Sequence, residues 1–92
     1  MPAEVKIYTT TVCPYCVRAK ALLSKRGIAY QEINVSNDDE TRAWLVKATG
    51  QRTVPQIFIG GQSIGGSDEL AALDRAGQLM ARVAGEAKTP AS

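Results

Sequence analysis

Ninety-two residues are enough for one small domain with one core and too few for two. Eleven basic against nine acidic side chains leave a net charge of +2, too small to make nucleic acid or an anionic membrane the main partner, while 45% hydrophobic and 22% charged residues is the composition of an ordinary globular fold. With two cysteines and no histidine, one chain lacks the cysteine and histidine ligands that a tetrahedral structural zinc site needs.

The first element is the stretch EVKIY, which alternates Val5 and Ile7 against Lys6 and Tyr8 with the period of a half-buried strand. It leads into CPYC, where both cysteines sit. From Pro14 to Arg26 the residues Cys16, Ala19, Leu22 and Leu23 fall at helical spacing, with Arg18 and Lys25 on another face and Gly27 as the stop. IAYQEINV reads as a second strand, and the helix between the two makes them parallel neighbours joined by a right-handed crossover.

Ser36 or Asn37 is expected to cap a second helix that Gly50 closes, with Thr41, Trp44, Leu45 and Ala48 on its inner face. QRTVP reads as a loop, and QIFIGGQSIGG as a hairpin turned at Gly60-Gly61. Ser67 then caps a third helix through Leu70, Ala71, Leu73 and Ala76, Gly77 marks a break, and QLMARVA forms a last helical piece. The order β-α-β-α-β-β-α describes an α/β sandwich around a central four-stranded sheet, expected to span residues 1–84 and to be followed by a flexible tail over 85–92. The start, MPAEVKIYTT, lacks the basic segment and apolar run of a secretory signal, and no run comes near the ~20 apolar residues that cross a bilayer. The expected compartment is a reducing cytoplasm.

In that compartment a disulfide between neighbouring cysteines is catalytic or redox-sensing rather than structural. The staple reading weakens further because disulfide stabilisation grows with the loop it closes, and this loop is nearly the smallest possible. Cys13 stands at a strand-to-helix boundary, where backbone N–H groups lack intrahelical partners and the helix dipole is positive, so a thiolate is favoured there. Pro14 fits the first helical turn because the N–H it lacks would be unpaired in any case, and the turn it fixes is expected to leave Cys13 exposed and Cys16 more buried. A dipole supplies only about 0.3–1 kcal/mol, so a large lowering of the Cys13 pKa needs direct hydrogen bonds from the N–H groups of Tyr15 and Cys16, or a nearby cation.

A second patch lies in RTVPQIFIGGQSIGGSDEL. On its own, Pro55 is most simply a strand-entry proline with Val54-Pro55 as a candidate cis bond, and Gly65-Gly66-Ser67-Asp68 is most simply a turn and a helix cap. A helix N-terminus also binds carboxylates, an adjacent Asp pairs with amines, and an extended loop offers backbone hydrogen bonds to a peptide. A small zwitterionic peptide suits all three.

Together, CPYC with RAKALL behind it, TVPQIFI and IGGSDEL resemble the glutaredoxins, specifically the small bacterial dithiol type, over about Val5 to Leu79. The resemblance implies the thioredoxin fold, with a central four-stranded mixed sheet flanked by helices, and an oxidoreductase that uses glutathione to reduce protein disulfides and glutathione mixed disulfides. It implies Cys13 as the nucleophile, Cys16 as the resolving thiol and Tyr15 flanking the sulfur. Thr53 and Val54, ahead of a cis Pro55, would bind the cysteinyl part of glutathione, Gly66, Ser67 and Asp68 its γ-glutamyl end, and Gln51 or Arg52 its glycine carboxylate. The implied partners are glutathione and oxidised or glutathionylated proteins, with ribonucleotide reductase among the candidates, and the implied state is a monomer without nucleic acid, membrane or metal. Many relatives carry lysine three residues before the first cysteine and threonine directly before it. Thr10 and Val12 stand at those places, which implies a less acidic Cys13, with Arg52 or Lys20 as the compensating cation. Two other readings remain: a thioredoxin-like protein reduced by a flavoenzyme, which the Pro-Tyr spacer and GGSD argue against, and a glutathione-ligated iron-sulfur cluster carrier, a behaviour that goes mostly with other spacers.

Overall fold

The computed structural model describes residues 3–84; the tail expected over 85–92 lies outside them. The chain runs β1 (Val5–Thr9), α1 (Pro14–Lys25), β2 (Gln31–Asn34), α2 (Asp39–Thr49), β3 (Gln56–Ile59), β4 (Gln62–Gly65), α3 (Ser67–Arg75) and α4 (Leu79–Ala84). The sheet has the order β2-β1-β3-β4. β1 pairs parallel with β2, setting Thr9 beside Asn34, and antiparallel with β3, setting Val5 beside Ile59 and Tyr8 beside Gln56. This is the mixed sheet of the expected fold. Among the described residues, no helix is long and apolar enough to cross a membrane.

Both faces of the two inner strands are buried. On one face Val5, Ile7, Ile57 and Ile59 pack with Ala19 and Leu23 of α1, Leu70 of α3 and Leu79 of α4. On the other, Tyr8 and Phe58 pack with Val35 and Leu45 of α2. Tyr8 is therefore buried, although simple alternation would put it on a wetted face: α2 covers that side. Only Leu45 of the inner face expected for α2 is fully buried; Thr41 is half-buried and Ala48 exposed. Trp44 lies across the ring of Phe58, with ring centroids 5.7 Å apart, and leaves 48% of its surface in solvent.

The helix ends correct two expectations. Asp38, not Ser36 or Asn37, caps α2: its Oδ1 accepts from Thr41 N at 3.0 Å and its Oδ2 from the Thr41 hydroxyl at 2.7 Å. The hydroxyl of Ser36 is occupied elsewhere, accepting from the backbone N–H of Thr11 at 2.7 Å and so tying the loop ahead of the cysteines to the end of β2. Gly66, not Ser67, is the cap residue of α3, and Ser67 is its first helical residue. β2 is shorter than IAYQEINV because Ile28 N donates back to Leu23 O and belongs to the exit of α1. The Gly60-Gly61 turn is as expected, both residues having positive φ (61° and 81°) as a two-residue hairpin of this type requires.

Candidate active site

Cys13 is the N-cap of α1. Its backbone is extended (φ −154°, ψ 98°), so the side chain folds back over the first turn and its Sγ accepts from the backbone N–H of Cys16 at 3.0 Å. Pro14 fills the first helical position and contributes no competing donor. Of the two N–H groups expected to face the sulfur, only that of Cys16 does so among the described residues; that of Tyr15 does not. Cys13 and Cys16 are joined as a disulfide, with Cα atoms 5.2 Å apart. Cys13 keeps 9% of its surface and Cys16 2%, so the order of exposure is as expected but Cys13 is far from open. The carbonyl oxygen of Val54 covers it, 3.7 Å from the sulfur. Tyr15 is exposed beside it, with the guanidinium of Arg18 5.6 Å from the ring centre.

The loop after α2 brings the second patch to this sulfur. Gly50 ends α2 in the left-handed region (φ 75°), the chain runs as a loop through Thr53, and the Val54-Pro55 bond is cis. Pro55 opens directly into β3, whose ladder with β1 fixes the loop against the cysteine-bearing turn. A groove of about 260 Å³ results. Tyr15 forms one end, Gln51, Thr53, Val54 and Pro55 one wall, and Gly66, Ser67, Asp68 and Glu69 at the start of α3 the other.

The structure thus brings together every candidate binding residue except Arg52. Arg52 lines a neighbouring cavity of about 490 Å³ together with Arg42 and Lys47, which shares Gln51, Thr53 and Val54 with the groove. Neither lining includes a cysteine; the groove adjoins the pair through Tyr15 and through Val54, whose carbonyl oxygen lies 3.7 Å from Cys13 Sγ. Lys20 is not a free compensating cation either: its Nζ sits 3.0 Å from Oε2 of Glu32, which also accepts from the buried hydroxyl of Thr9 at 2.8 Å. The hydrogen bond from Lys20, then that from Thr9, hold the Glu32 carboxyl below its ordinary value of 4.5.

Glu69 is the groove residue that the sequence reading missed. Its Oε1 accepts from the backbone N–H of Gly66 at 2.8 Å, half of a capping box. The signal was present, a glutamate three residues after the cap, but it counts correctly only from Gly66. With that N–H taken, the N–H groups of Ser67, Asp68 and Glu69 are the first-turn donors left for an anion, since the cap glycine has no side chain and the first intrahelical bond of α3 comes from Leu70 N to Gly66 O.

Chemically, the arrangement places a disulfide-forming pair of sulfurs next to a groove with the loop from Gln51 to Pro55 on one wall and a helix N-terminus on the other. The Glutaredoxin family model matches residues 5–64. Glutaredoxin 3 of Escherichia coli is 52% identical over 77 residues, covering 84% of this chain and 93% of that protein. A glutaredoxin of Pseudomonas aeruginosa is 53% identical over 81 residues, covering 88% and 95%. The crystal structure of a buckwheat glutaredoxin–glutathione complex superposes with a TM-score of 0.84 at 38% identity, over 88% of this chain and 76% of that one.

Proposed function

Because the chain belongs to the glutaredoxin family, we propose that it is a glutathione-dependent oxidoreductase that reduces protein disulfides and glutathione mixed disulfides through Cys13 and Cys16. The coarser statement, a thiol-disulfide oxidoreductase, follows from the family and from the two cysteines at disulfide distance. The observation that carries the finer one is the groove that opens beside Cys13, with peptide-like donors and acceptors along Thr53 and Val54 and the α3 N-terminus opposite.

In this reading glutathione lies in the groove with its sulfur toward Cys13. Thr53 and Val54 pair with its cysteinyl backbone, the N–H groups of Ser67 and Asp68 take the γ-glutamyl carboxylate while the Asp68 carboxylate pairs with its amine, and Gln51 or, from the neighbouring cavity, Arg52 meets the glycine carboxylate. Cys13 thiolate attacks the glutathionyl sulfur of a mixed disulfide. The old S–S bond breaks as the Cys13–glutathione bond forms, and the reduced protein leaves as a thiolate that takes up a proton. A glutathione thiolate then attacks the bound glutathionyl sulfur, giving glutathione disulfide and Cys13 thiolate. With a protein disulfide, Cys16 attacks Cys13 in the mixed disulfide, releases the reduced partner and leaves the Cys13–Cys16 disulfide for two glutathiones to reduce.

The activity belongs to one domain over residues 1–84, acting as a monomer in the reducing cytoplasm on oxidised and glutathionylated proteins, with a ribonucleotide reductase as one candidate. The test is turnover of a small glutathione mixed disulfide with glutathione, glutathione reductase and NADPH, run beside thioredoxin reductase. NADPH consumption only with the glutathione couple supports the reading; consumption only with thioredoxin reductase sinks it.

A further inference from the structure

Gln56 is 1% exposed, yet its Oε1 has no hydrogen-bond partner among the described residues. A buried acceptor left unpaired destabilises a fold, and an apolar residue of the same length would avoid that penalty. The other end of the side chain is fully used. Nε2 donates to the carbonyl oxygen of Thr53 at 2.9 Å and lies 3.4 Å from both Gln51 Oε1 and Thr53 Oγ1. A carbonyl oxygen only accepts, so the atom facing Thr53 O is the nitrogen and the orphaned oxygen must point away. Gln56 is itself anchored in the β1–β3 ladder opposite Tyr8.

The peptide unit joining Thr53 to Val54 is trans, since the only cis bond among the described residues is the next one. In a trans peptide the C=O and the following N–H lie in one plane and point in opposite directions. Drawing Thr53 O inward to Gln56 therefore turns the N–H of Val54 outward, away from the core. That N–H has no intramolecular partner among the described residues, and Val54 lines the groove.

We propose that Gln56 is a positioning residue for glutathione: its buried amide holds the Thr53–Val54 peptide plane so that the Val54 N–H faces the groove as a ready donor, and the unpaired Oε1 is the cost of that hold. This rests on the glutathione reading above and adds to it a residue that touches neither ligand nor cysteine.

The experiment is an amide NMR titration of the reduced protein with S-methylglutathione, which cannot exchange its sulfur, on the unsubstituted chain, Gln56→Met and Gln56→Leu. Melting temperature and the rate of Cys13 alkylation by iodoacetamide are measured on each. The expected result is a clear ligand-induced shift of the Val54 amide in the unsubstituted protein. In the variants affinity weakens about fivefold to tenfold and the Val54 shift is lost, while melting temperature does not fall and the alkylation rate stays as it was. A merely structural glutamine would lower the melting temperature on substitution and leave the Val54 signal. Unchanged affinity in both variants, weakened affinity that tracks lost stability, or failure of both to fold overturns the proposal. If the unsubstituted protein does not bind S-methylglutathione, the glutathione reading itself falls, an outcome told apart by arising without any substitution.

Discussion

The backbone N–H of Cys16 donates to the sulfur of Cys13 at 3.0 Å, and among the described residues no N–H is directed at the sulfur of Cys16 in return. Cys16 is also the more buried of the two. The pair is therefore asymmetric: one sulfur has a donor for a negative charge and some access to solvent, and the other has neither.

Cys13→Ser is expected to abolish turnover of glutathione mixed disulfides. Cys16→Ser should keep activity on a small glutathione mixed disulfide within about threefold of the parent, because glutathione can resolve the adduct in its place. The same substitution should remove most activity on a protein disulfide. Steady-state rates of the two variants on both substrates are the check, and equal losses on the small substrate would contradict the assignment.

Neighbouring glycines should fail differently. A Cβ on Gly65 would meet Glu69 Cγ at 2.7 Å on a backbone with φ of 105°, so Gly65→Ala is expected to destabilise the fold by about 1–3 kcal/mol, read by denaturant unfolding. Gly66 has no such backbone requirement, and a Cβ there would stand 3.1 Å from the carbonyl oxygen of Pro55 in the groove wall. Gly66→Ala should raise KM for the glutathione substrate about threefold to tenfold with a smaller change in stability.

Acid should weaken the strap between β1, α1 and β2. Glu32 has its folded pKa below the ordinary 4.5, first through Lys20 and then through Thr9. The unfolded chain therefore binds more protons in that window, and the contribution is whole above pH 4.5 and lost as pH falls through the depressed value. Glu32→Gln is expected to lower the melting temperature slightly at pH 7 and to flatten its decline below pH 4.5. Thermal melts of both proteins from pH 7 to pH 3 decide this; parallel curves would show that the strap contributes nothing.

Asp38→Ala should lower the melting temperature and Ser36→Ala should affect α2 much less, since Thr41 N bonds to Asp38. The carboxyl of Asp38 is also held below its ordinary 3.8 by the Thr41 hydroxyl and N–H. Melts at neutral pH compare the two variants.

What was legible in the sequence is what neighbours along the chain decide. Pro14 behind Cys13, Gly27 and Gly50 after helices and Gly60-Gly61 between strands each act through their own backbone, and each stands where it was expected. The groove was legible as separate segments because its motifs are short. What was not legible depends on residues distant in sequence. Ser36 loses the capping role because Thr11, 25 residues earlier, takes its hydroxyl. Lys20 is drawn to Glu32 on the next strand rather than left to the cysteines. Arg52 faces Arg42 and Lys47 instead of the groove, a matter of how the loop leaves α2. Gln56, although inside a readable motif, looks like any strand residue until its hydrogen bond to the Thr53 carbonyl is found.

The groove is assembled from three stretches: the turn at Tyr15, the loop from Gln51 to Pro55 and the start of α3. They belong to elements on both sides of β3, so a molecule resting there would clasp parts of the chain that come apart together on heating. Occupancy would then act as a reversible rivet, adding about 2.7 kcal/mol at a hundredfold excess over Kd. Heat tolerance alone could rank candidate peptides before any electron is moved.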